Sequence, residues 1–432
     1  GVQTCALPIC ISVSHTPNSP MPQQSFTRRS FLGAGTGGAA AVAGFPATQQ
    51  TQSFPPELAT AIAALDPFMT PPENFRDVSR GKPLPHSLPP EKLAEVGLTR
   101  ETWKLEVLSD TDSNATRLKR PLKKEDGTAL DFQALLQIGE TSAVRFAKVM
   151  TCLNIGCPLG TGIWEGVPLR DIIWRTQPVE NLRRVIYYGY HNNDEKQMFR
   201  SSLPIGRILE DPFDLPPVIL CYKLNGQWLS PERGGPVRMV VPEAYGFKSI
   251  KWLTHVILSN MAAANDTYID GNNDIDSPLK TWAATLAVPR AAKADQPIPI
   301  TGYAQVGISG LAKVQTWVCR QGTEPGDDPD FITAPWVDAT ILEPPPQGSW
   351  GGTLPEGRIP VGTLGFAPDG SPKHWPLRLC KVYWATLLPG LPPGEYTLRS
   401  RTIDEKGHAQ PMPRPFRKSG HAAIEQVNFV VE

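Results

Sequence analysis

Two cysteines close together in the chain are the first candidates for metal or nucleophilic chemistry. Cys152 and Cys157 form a C-x4-C pair, but no second cysteine or histidine pair follows at the spacing of a zinc site. The seven histidines are scattered without an H-x-x-x-H pair, and no C-x-x-C-H motif for covalent haem occurs. Residue types alone therefore leave Cys152 open between a buried strand cysteine and a metal ligand.

A basic cluster farther along the chain could bind an anion. Arg233, Arg238, Lys248 and Lys251 lie within nineteen residues, interleaved with apolar residues and glycine-bearing turns. Arginine offers a planar fork to phosphate oxygens, lysine a point charge, and such turns expose backbone N–H groups. The alternative is a solvated basic face. The chain has neither a G-x-G-x-x-G turn before a helix nor a G-x-x-x-x-G-K-[ST] loop, so no nucleotide fold is indicated.

The elements that would hold these residues change in character along the chain. Residues 100–260 mix strand patterns at 103–107, 145–151, 185–189, 237–241 and 250–258 with helix patterns at 131–136, 168–174 and 203–209. Asn225-Gly226 between apolar runs predicts a hairpin over 218–229. Beyond residue 295, short strand patterns at 312–318, 377–384, 395–401 and 427–431 alternate with glycine- and proline-rich turns. We therefore predict an α+β domain followed by an all-β sandwich.

Composition narrows the function classes. The 432 residues contain 42 Lys+Arg and 42 Asp+Glu, and a neutral chain has no global attraction for nucleic acid or anionic lipid. No apolar run approaches the roughly 18 residues of a membrane span. The 46 prolines predict short elements and long ordered loops. We expect a globular protein of two or three domains.

The N-terminus contains two patterns unrelated to a fold. Residues 2–9 (VQTCALPI) look like a translated sequencing adapter, so we interpret residues 1–20 as an artefact or a disordered leader. After Met21, the pair Arg28-Arg29 precedes a short, weakly apolar run that ends near Ala41-Val42-Ala43. This pattern resembles a twin-arginine export signal over residues 21–47 and predicts a periplasmic protein. Because that pathway carries folded proteins, it also favours a bulky bound cofactor.

Several long segments resemble the sulfite oxidase family of molybdenum enzymes. Residues 150–154 (MTCLN) and 162–171 (GIWEGVPLRD) are similar to the family's cysteine segment. Residues 235–242 (GPVRMVVP) and 245–253 (YGFKSIKWL) are similar to its pterin-binding segment. The tail, residues 401–411 (RTIDEKGHAQP), is similar to its C-terminal dimerisation domain, which implies an immunoglobulin-like sandwich and a homodimer. The motifs occur in the family's order.

The resemblance implies a molybdenum-molybdopterin cofactor and assigns residues to it. Cys152 matches the thiolate ligand of molybdenum, and a soft thiolate suits a metal that cycles between high oxidation states. Arg238 and the run Ser249, Ile250 and Lys251 match positions that hold the pterin and its phosphate.

Four further residues are assigned by looser matches. Arg233 occupies a place where relatives carry histidine or asparagine, and His191 lies near a place where they carry aspartate or threonine; both are cofactor-binding candidates. Sulfite-oxidising relatives carry Arg-Asn-His before Pro-Val-Pro in the N-terminal arm, whereas residues 80–85 read RGKPLP. Arg80 keeps the arginine, and the histidine is missing. Tyr268 matches an active-site tyrosine, so the catalytic candidates are Cys152, Arg80 and Tyr268.

The sequence thus predicts a periplasmic molybdopterin-dependent oxidoreductase that transfers an oxygen atom to or from a small sulfur or other oxyanion. A separate electron carrier, such as a c-type cytochrome, is expected. The alternatives are a reductase of a sulfoxide or similar oxo compound, and a non-catalytic exported binding protein without metal. The predicted domains are an extended arm at 48–95, the cofactor domain at 96–265, a connection at 266–294 and the immunoglobulin-like domain at 295–432.

Overall fold

Three β-sheets carry most of the fold in the computed structural model. The structure describes residues 52–432 except 112–115, 213–214, 270, 272, 277, 325, 327, 329 and 412–417. Residues Gln52–Glu432 form one compact unit. The predicted artefact at 1–20 and the predicted export signal at 21–47 lie outside the described residues.

The helices are short. They are α1 (Pro56–Ala63), α2 (Pro90–Glu95), α3 (Phe132–Ser142), α4 (Leu169–Arg175) and α5 (Ile205–Leu209). The strands, in chain order, are β1 (Lys104–Ser109), β2 (Leu130–Asp131), β3 (Val144–Thr151), β4 (Pro158–Pro168), β5 (Arg184–Gly189), β6 (Arg200–Pro204), β7 (Ile219–Leu224), β8 (Gln227–Trp228), β9 (Arg238–Val240), β10 (Leu253–Ser259), β11 (Trp282–Ala287), β12 (Ala291–Ala292), β13 (Ile298–Gln305), β14 (Lys313–Arg320), β15 (Val337–Ile341), β16 (Lys381–Leu388), β17 (Gly394–Ile403) and β18 (Glu425–Val431).

Helix boundaries follow capping chemistry. The side chain of Asp131 accepts a hydrogen bond from the backbone N–H of Ala134 at 2.8 Å and so caps the N-terminus of α3. The helix patterns at 168–174 and 203–209 include Pro168 and Pro204, but each proline ends a strand and caps the helix instead, because its backbone is extended, with ψ of 129° and 144°. The helix expected over 203–209 therefore begins only at Ile205.

The first two sheets surround the region of the site. The first has the order β2-β1-β10-β5-β6, and its β1–β10 pair is parallel. The second has the order β3-β4-β7-β8, with β9 paired to β7. The largest apolar cluster draws buried residues from β1, β5, β7, β9 and β10 and from helices α3 and α4. Both sheets therefore share one core.

The sequence patterns did not predict β4, although it is the longest strand of the first two sheets. Gly160, Gly162 and Gly166 interrupt its apolar pattern, and glycine is a poor strand former by itself. The structure explains Gly160, since a Cβ atom there would lie 2.3 Å from the ring of Phe75. This close approach lets the N-terminal arm pack onto the strand.

The C-terminal strands form one hydrogen-bonded order, β11-β13-β16-β15-β14-β17-β18-β12. Strand β15 pairs with β14 through Ala339 and with β16 through Thr340, so it connects the strands on its two sides into one order. Strands β11 and β12 lie within residues 266–294, the predicted connection, and contribute to this sheet. The region is all-β, as expected.

The C-terminal strands and their loops cover the edge of β3, the strand that leads to Cys152. The backbone N–H of Val149 donates to the carbonyl of Leu379 at 2.7 Å, and that of Leu364 donates to the carbonyl of Arg145 at 2.8 Å. A buried apolar cluster there joins Met69 of the arm, residues of β3 and β4, and residues of 350–380. Among the described residues, no helix is long and apolar enough to cross a membrane.

Candidate active site

One cavity of about 460 Å³ brings together every residue that the sequence assigned to the site. Its lining includes the nine predicted residues Arg80, Cys152, His191, Arg233, Arg238, Ser249, Ile250, Lys251 and Tyr268. They come from the arm, the end of β3, the loop after β5, the segment around β9 and β10, and the loop after β10. These segments are distant in sequence. The first two sheets, which share one core, bring them together around the same cavity.

Cys152 lies directly after β3 and is half-buried in the cavity wall. The preceding residue, Thr151, is fully buried, and its hydroxyl donates to the side-chain oxygen of Gln305 at 2.6 Å. Gln305 in turn donates to the carbonyl of Lys280 at 2.8 Å. A residue of the C-terminal sheet therefore anchors the strand end that presents the thiol.

Cys157 has a different environment and is absent from the lining of the cavity. Its sulfur accepts a hydrogen bond from the guanidinium of Arg76 at 3.0 Å. The geometry therefore distinguishes the two cysteines that spacing alone could not.

Arg238 is buried at the base of the basic cluster. Its guanidinium donates to the carbonyls of Arg233 at 2.9 Å and Ser249 at 2.6 Å, and it lies 5.2 Å from the ring centre of Trp164. Burial lowers the pKa of Arg238 to about 10. Its Nε atom is buried without a hydrogen-bond partner among the described residues. A buried donor without an acceptor is costly, and an anionic group in the cavity would be suited to supply one.

Ser249 positions this segment through its hydroxyl and Ile250 through its backbone carbonyl. The hydroxyl of Ser249 accepts from the backbone N–H of Val241 at 3.2 Å, and the carbonyl of Ile250 accepts from Met239 at 2.8 Å. These bonds hold the segment before β10 against β9.

Lys251 is engaged with the arm. Its ammonium group contacts the carboxylate of Asp77 at 2.8 Å, the hydroxyl of Ser79 at 2.6 Å and the carbonyl of Glu232 at 2.5 Å. Burial, followed by the nearby charge of Arg238, lowers the pKa of Lys251 to about 8, although Asp77 opposes this. Three contacts equal the three N–H donors of a lysine, so a phosphate would have to share or replace them.

Arg233 also binds the arm. Its guanidinium donates to the carbonyls of Phe75 at 3.1 Å and Arg76 at 3.3 Å and lies over the ring of Phe75. Gly234, which follows Arg233 in the chain, has φ of 94°. A Cβ atom at this position would lie 2.7 Å from the side chain of Lys251. Only glycine fits such a turn without displacement.

Arg80 lies beside two aromatic side chains of the cavity lining, Phe199 and Tyr268. The guanidinium carbon of Arg80 lies 4.9 Å from the ring centre of Phe199 and 5.5 Å from that of Tyr268. The two rings meet edge to face at 5.0 Å, and Phe247 packs on Tyr268. His191 also lines the cavity, and its Nδ1 lies 3.1 Å from the carbonyl oxygen of Gly189.

Two buried lysines were not assigned to the site from the sequence, although Lys248 belongs to the predicted basic cluster. Lys248 forms an ion pair with Asp266 at 3.2 Å, and burial lowers its pKa against that attraction. Lys148, on β3, donates to the carbonyls of Pro242 at 2.6 Å and Ala244 at 2.8 Å, and burial lowers its pKa to about 7. Lys148 thereby joins the cysteine strand to the segment that carries Ser249. An isolated lysine within an apolar strand was the only sequence signal for it.

Comparisons with known proteins agree with this arrangement. Residues 94–267 match the family described as oxidoreductase molybdopterin binding domain. This part of the chain is an oxidoreductase molybdopterin-binding domain. Its cofactor is molybdenum-molybdopterin, which confirms the cofactor expected from the sequence. The unpartnered donor of Arg238 and the thiol of Cys152 in one cavity fit such a group.

Two groups of enzymes share this domain. The chain is 29% identical over 192 residues to nitrate reductase [NADH] of Spinacia oleracea, covering 41% of this chain and 20% of that protein. It is 34% identical over 123 residues to sulfite oxidase of Gallus gallus, covering 28% and 26%. The chain thus spans about a fifth to a quarter of the length of these relatives. The molybdopterin-binding domain is homologous to those of both enzymes.

A solved structure extends the likeness beyond this domain. The sulfane dehydrogenase SoxCD of Paracoccus pantotrophus matches with a TM-score of 0.51 and 16% identity, over 90% of this chain and 93% of that chain. At this identity the match shows a shared fold, which includes the C-terminal β-region.

Proposed function

We propose that the chain is a molybdenum-dependent oxidoreductase that transfers an oxygen atom to a small sulfur oxyanion. The observation that carries this proposal is the single cavity that holds Cys152, the buried cations and Arg80. When bound, the molybdenum centre would supply two-electron redox chemistry and exchange an oxygen atom with water. Cys152 would hold the metal, and Arg238 and Lys251 would bind the pterin side.

The residues of this chain would perform the binding steps. Arg80 carries a fixed positive charge, and no hydrogen bond or ion pair of its guanidinium is found in the described part of the chain. Arg80 is exposed, and its guanidinium lies beside the rings of Phe199 and Tyr268, so its charge is accessible to an anion. Tyr268 would border the bound substrate.

A change at Arg80 tests this proposal. Arg80→Gln should raise KM for an anionic substrate by about tenfold or more, since a charge-assisted contact contributes roughly 1.5–3 kcal/mol. KM for a neutral sulfoxide should change far less. Dye-linked turnover of sulfite and of a sulfoxide would be measured, and equal responses would make Arg80 structural.

The reductive direction is a second candidate, supported by the similarity to nitrate reductase. Reduced viologen with nitrate or a sulfoxide would detect it, whereas oxidised dyes with sulfite detect the proposed direction. A metal-free binding protein is the third possibility, and molybdenum content after production in a cofactor-competent host separates it from both enzymes.

We also propose export and assembly properties that the resemblance implied. Arg28-Arg29 would direct twin-arginine export to the periplasm, and the C-terminal β-region would be an immunoglobulin-like dimerisation domain. A c-type cytochrome would accept the electrons, since the sequence has no covalent haem motif. Changing Arg28 and Arg29 together to lysine should retain the cofactor-loaded protein in the cytoplasm, as measured by fractionation. Arg175→Lys, at an exposed position, is the control.

A further inference from the structure

We propose that the preferred substrate is an organic sulfinate, an anion with one negative charge and a hydrocarbon group on sulfur. This inference rests on the proposed function and specifies its substrate class. It follows from two properties of the cavity: the number of cations available to a substrate, and the apolar character of the wall beside Arg80.

Most cations of the cavity are already engaged. Lys251 contacts Asp77, Ser79 and Glu232, while Arg233 and Arg238 donate to backbone carbonyls. Arg76 binds the sulfur of Cys157. Of the arginines that line the cavity, Arg80 differs from the others because its guanidinium forms no hydrogen bond or ion pair within the described part of the chain. One available cation matches a monoanion, whereas a dianion would need a second charge or remain poorly compensated.

The cavity lining includes accessible apolar side chains, and two aromatic rings lie beside Arg80. Phe199 and Tyr268 lie against its guanidinium. Val78 and Ile155 also line the cavity, and they remain 38% and 46% exposed. A hydrocarbon group that covers these side chains would remove apolar surface from water, which favours binding.

A sulfinate satisfies both conditions and can undergo the proposed reaction. Its sulfur keeps a lone pair, so the balanced oxidation is RSO2⁻ + H2O → RSO3⁻ + 2 H⁺ + 2 e⁻. One S–O bond forms, both O–H bonds of water break, and the two protons pass to solvent. The two electrons leave through the redox centre to one-electron acceptors of the haem-protein or dye class. Sulfite differs in carrying an oxygen where the sulfinate carries carbon, so it gains nothing from the apolar wall.

The experiment compares benzenesulfinate, methanesulfinate and sulfite with the cofactor-loaded protein and an oxidised dye. We expect kcat/KM to fall in that order, with benzenesulfinate on the order of tenfold above sulfite. Ile155→Ser should lower kcat/KM for benzenesulfinate by about three- to tenfold and that for methanesulfinate less. Ile332→Ser is the matched control, because Ile332 is 73% exposed and is not part of the cavity lining.

Binding of the product gives a readout that is independent of turnover. Calorimetry should detect benzenesulfonate binding, and Arg80→Gln should weaken it by about tenfold or more. Higher kcat/KM for sulfite than for both sulfinates would overturn this inference while the proposed function stands. A molybdenum-loaded protein that oxidises none of the three would overturn both.

Discussion

At the scale of single residues, neighbours decide which side chains can bind a ligand. Four basic residues of the site have different surroundings: Lys251 and Arg233 hold the arm, Arg238 is buried with an unpartnered Nε, and Arg80 lies beside two aromatic rings. Their chemistry therefore differs more than their residue types suggest. Substitutions of the two cysteines and of Arg238 test the roles proposed for single residues.

The cysteine pair gives the first prediction. Cys152→Ser should abolish turnover, because a hydroxyl is a poor substitute for a soft thiolate on molybdenum. Cys157→Ser should retain both metal and activity, since Cys157 lies outside the cavity lining. Molybdenum analysis and dye-linked turnover measure both effects. Similar losses in the two variants would contradict the assignment of Cys152.

Arg238 gives the second prediction. Arg238→Ala should weaken cofactor retention by roughly one to two powers of ten, from charged hydrogen bonds of about 1.5–3 kcal/mol. The measurement is pterin content after gel filtration. Arg175→Ala, a change at an exposed arginine on α4, is the control and should retain full pterin content. Full content in Arg238→Ala would mean that the cofactor's anionic groups bind elsewhere.

At the scale of elements, the arm is held over the cavity by an ion pair. Burial alone would raise the pKa of Asp77, but its bonds to Lys251 and Ser79 dominate and lower it from 3.8 to about 2. A carboxylate with a lowered pKa stabilises the docked arm above its ordinary pKa. That contribution is lost as the pH falls from about 4 toward 2.

Asp77→Asn should therefore loosen the arm at neutral pH and remove this part of its acid dependence. Trypsin cleavage after Arg76 or Arg80 should become several-fold faster, because Lys251 loses its charged partner. Mass spectrometry of the fragments measures the rate, and Asp126→Asn, at an exposed loop position, is the control. An unchanged rate in Asp77→Asn would show that the other contacts of the arm, such as those of Arg233 and Phe75, are sufficient to hold it.

At the scale of the whole molecule, the C-terminal strands support the active site directly. They cover the edge of β3 and, through Gln305, hold the residue before Cys152. Residues 52–432 accordingly form one compact unit. The proposed metal ligand is thus positioned by a part of the chain that is more than 150 residues away in sequence.

Thr151→Val tests this coupling. The change keeps the side-chain shape but leaves the buried oxygen of Gln305 without its donor, which should cost about 1–3 kcal/mol of stability. Thermal unfolding should show a lower Tm, and molybdenum content should fall with it. Thr323→Val, which removes an exposed hydroxyl, should leave the Tm within about a degree. An unchanged Tm in Thr151→Val would argue against an energetic role for the Thr151–Gln305 bond.

The sequence by itself determined the cofactor domain, the cofactor and most strands, because these depend on local periodicity and on long motifs such as residues 235–242 and 245–253. It also named nine residues that line one cavity. It could not reveal β4, where glycines needed for close packing against Phe75 remove the strand pattern.

Only the tertiary structure decided which of these residues are available to a ligand. Lys251 and Arg80 look equally suited to an anion in the sequence, but Asp77 and Ser79 reach Lys251 across 172 to 174 positions, whereas two aromatic rings face Arg80. Thr151 likewise meets Gln305 only in the folded chain. Hydrogen bonds and burial depend on distances in space, and local sequence patterns contain no information about contacts between such distant segments.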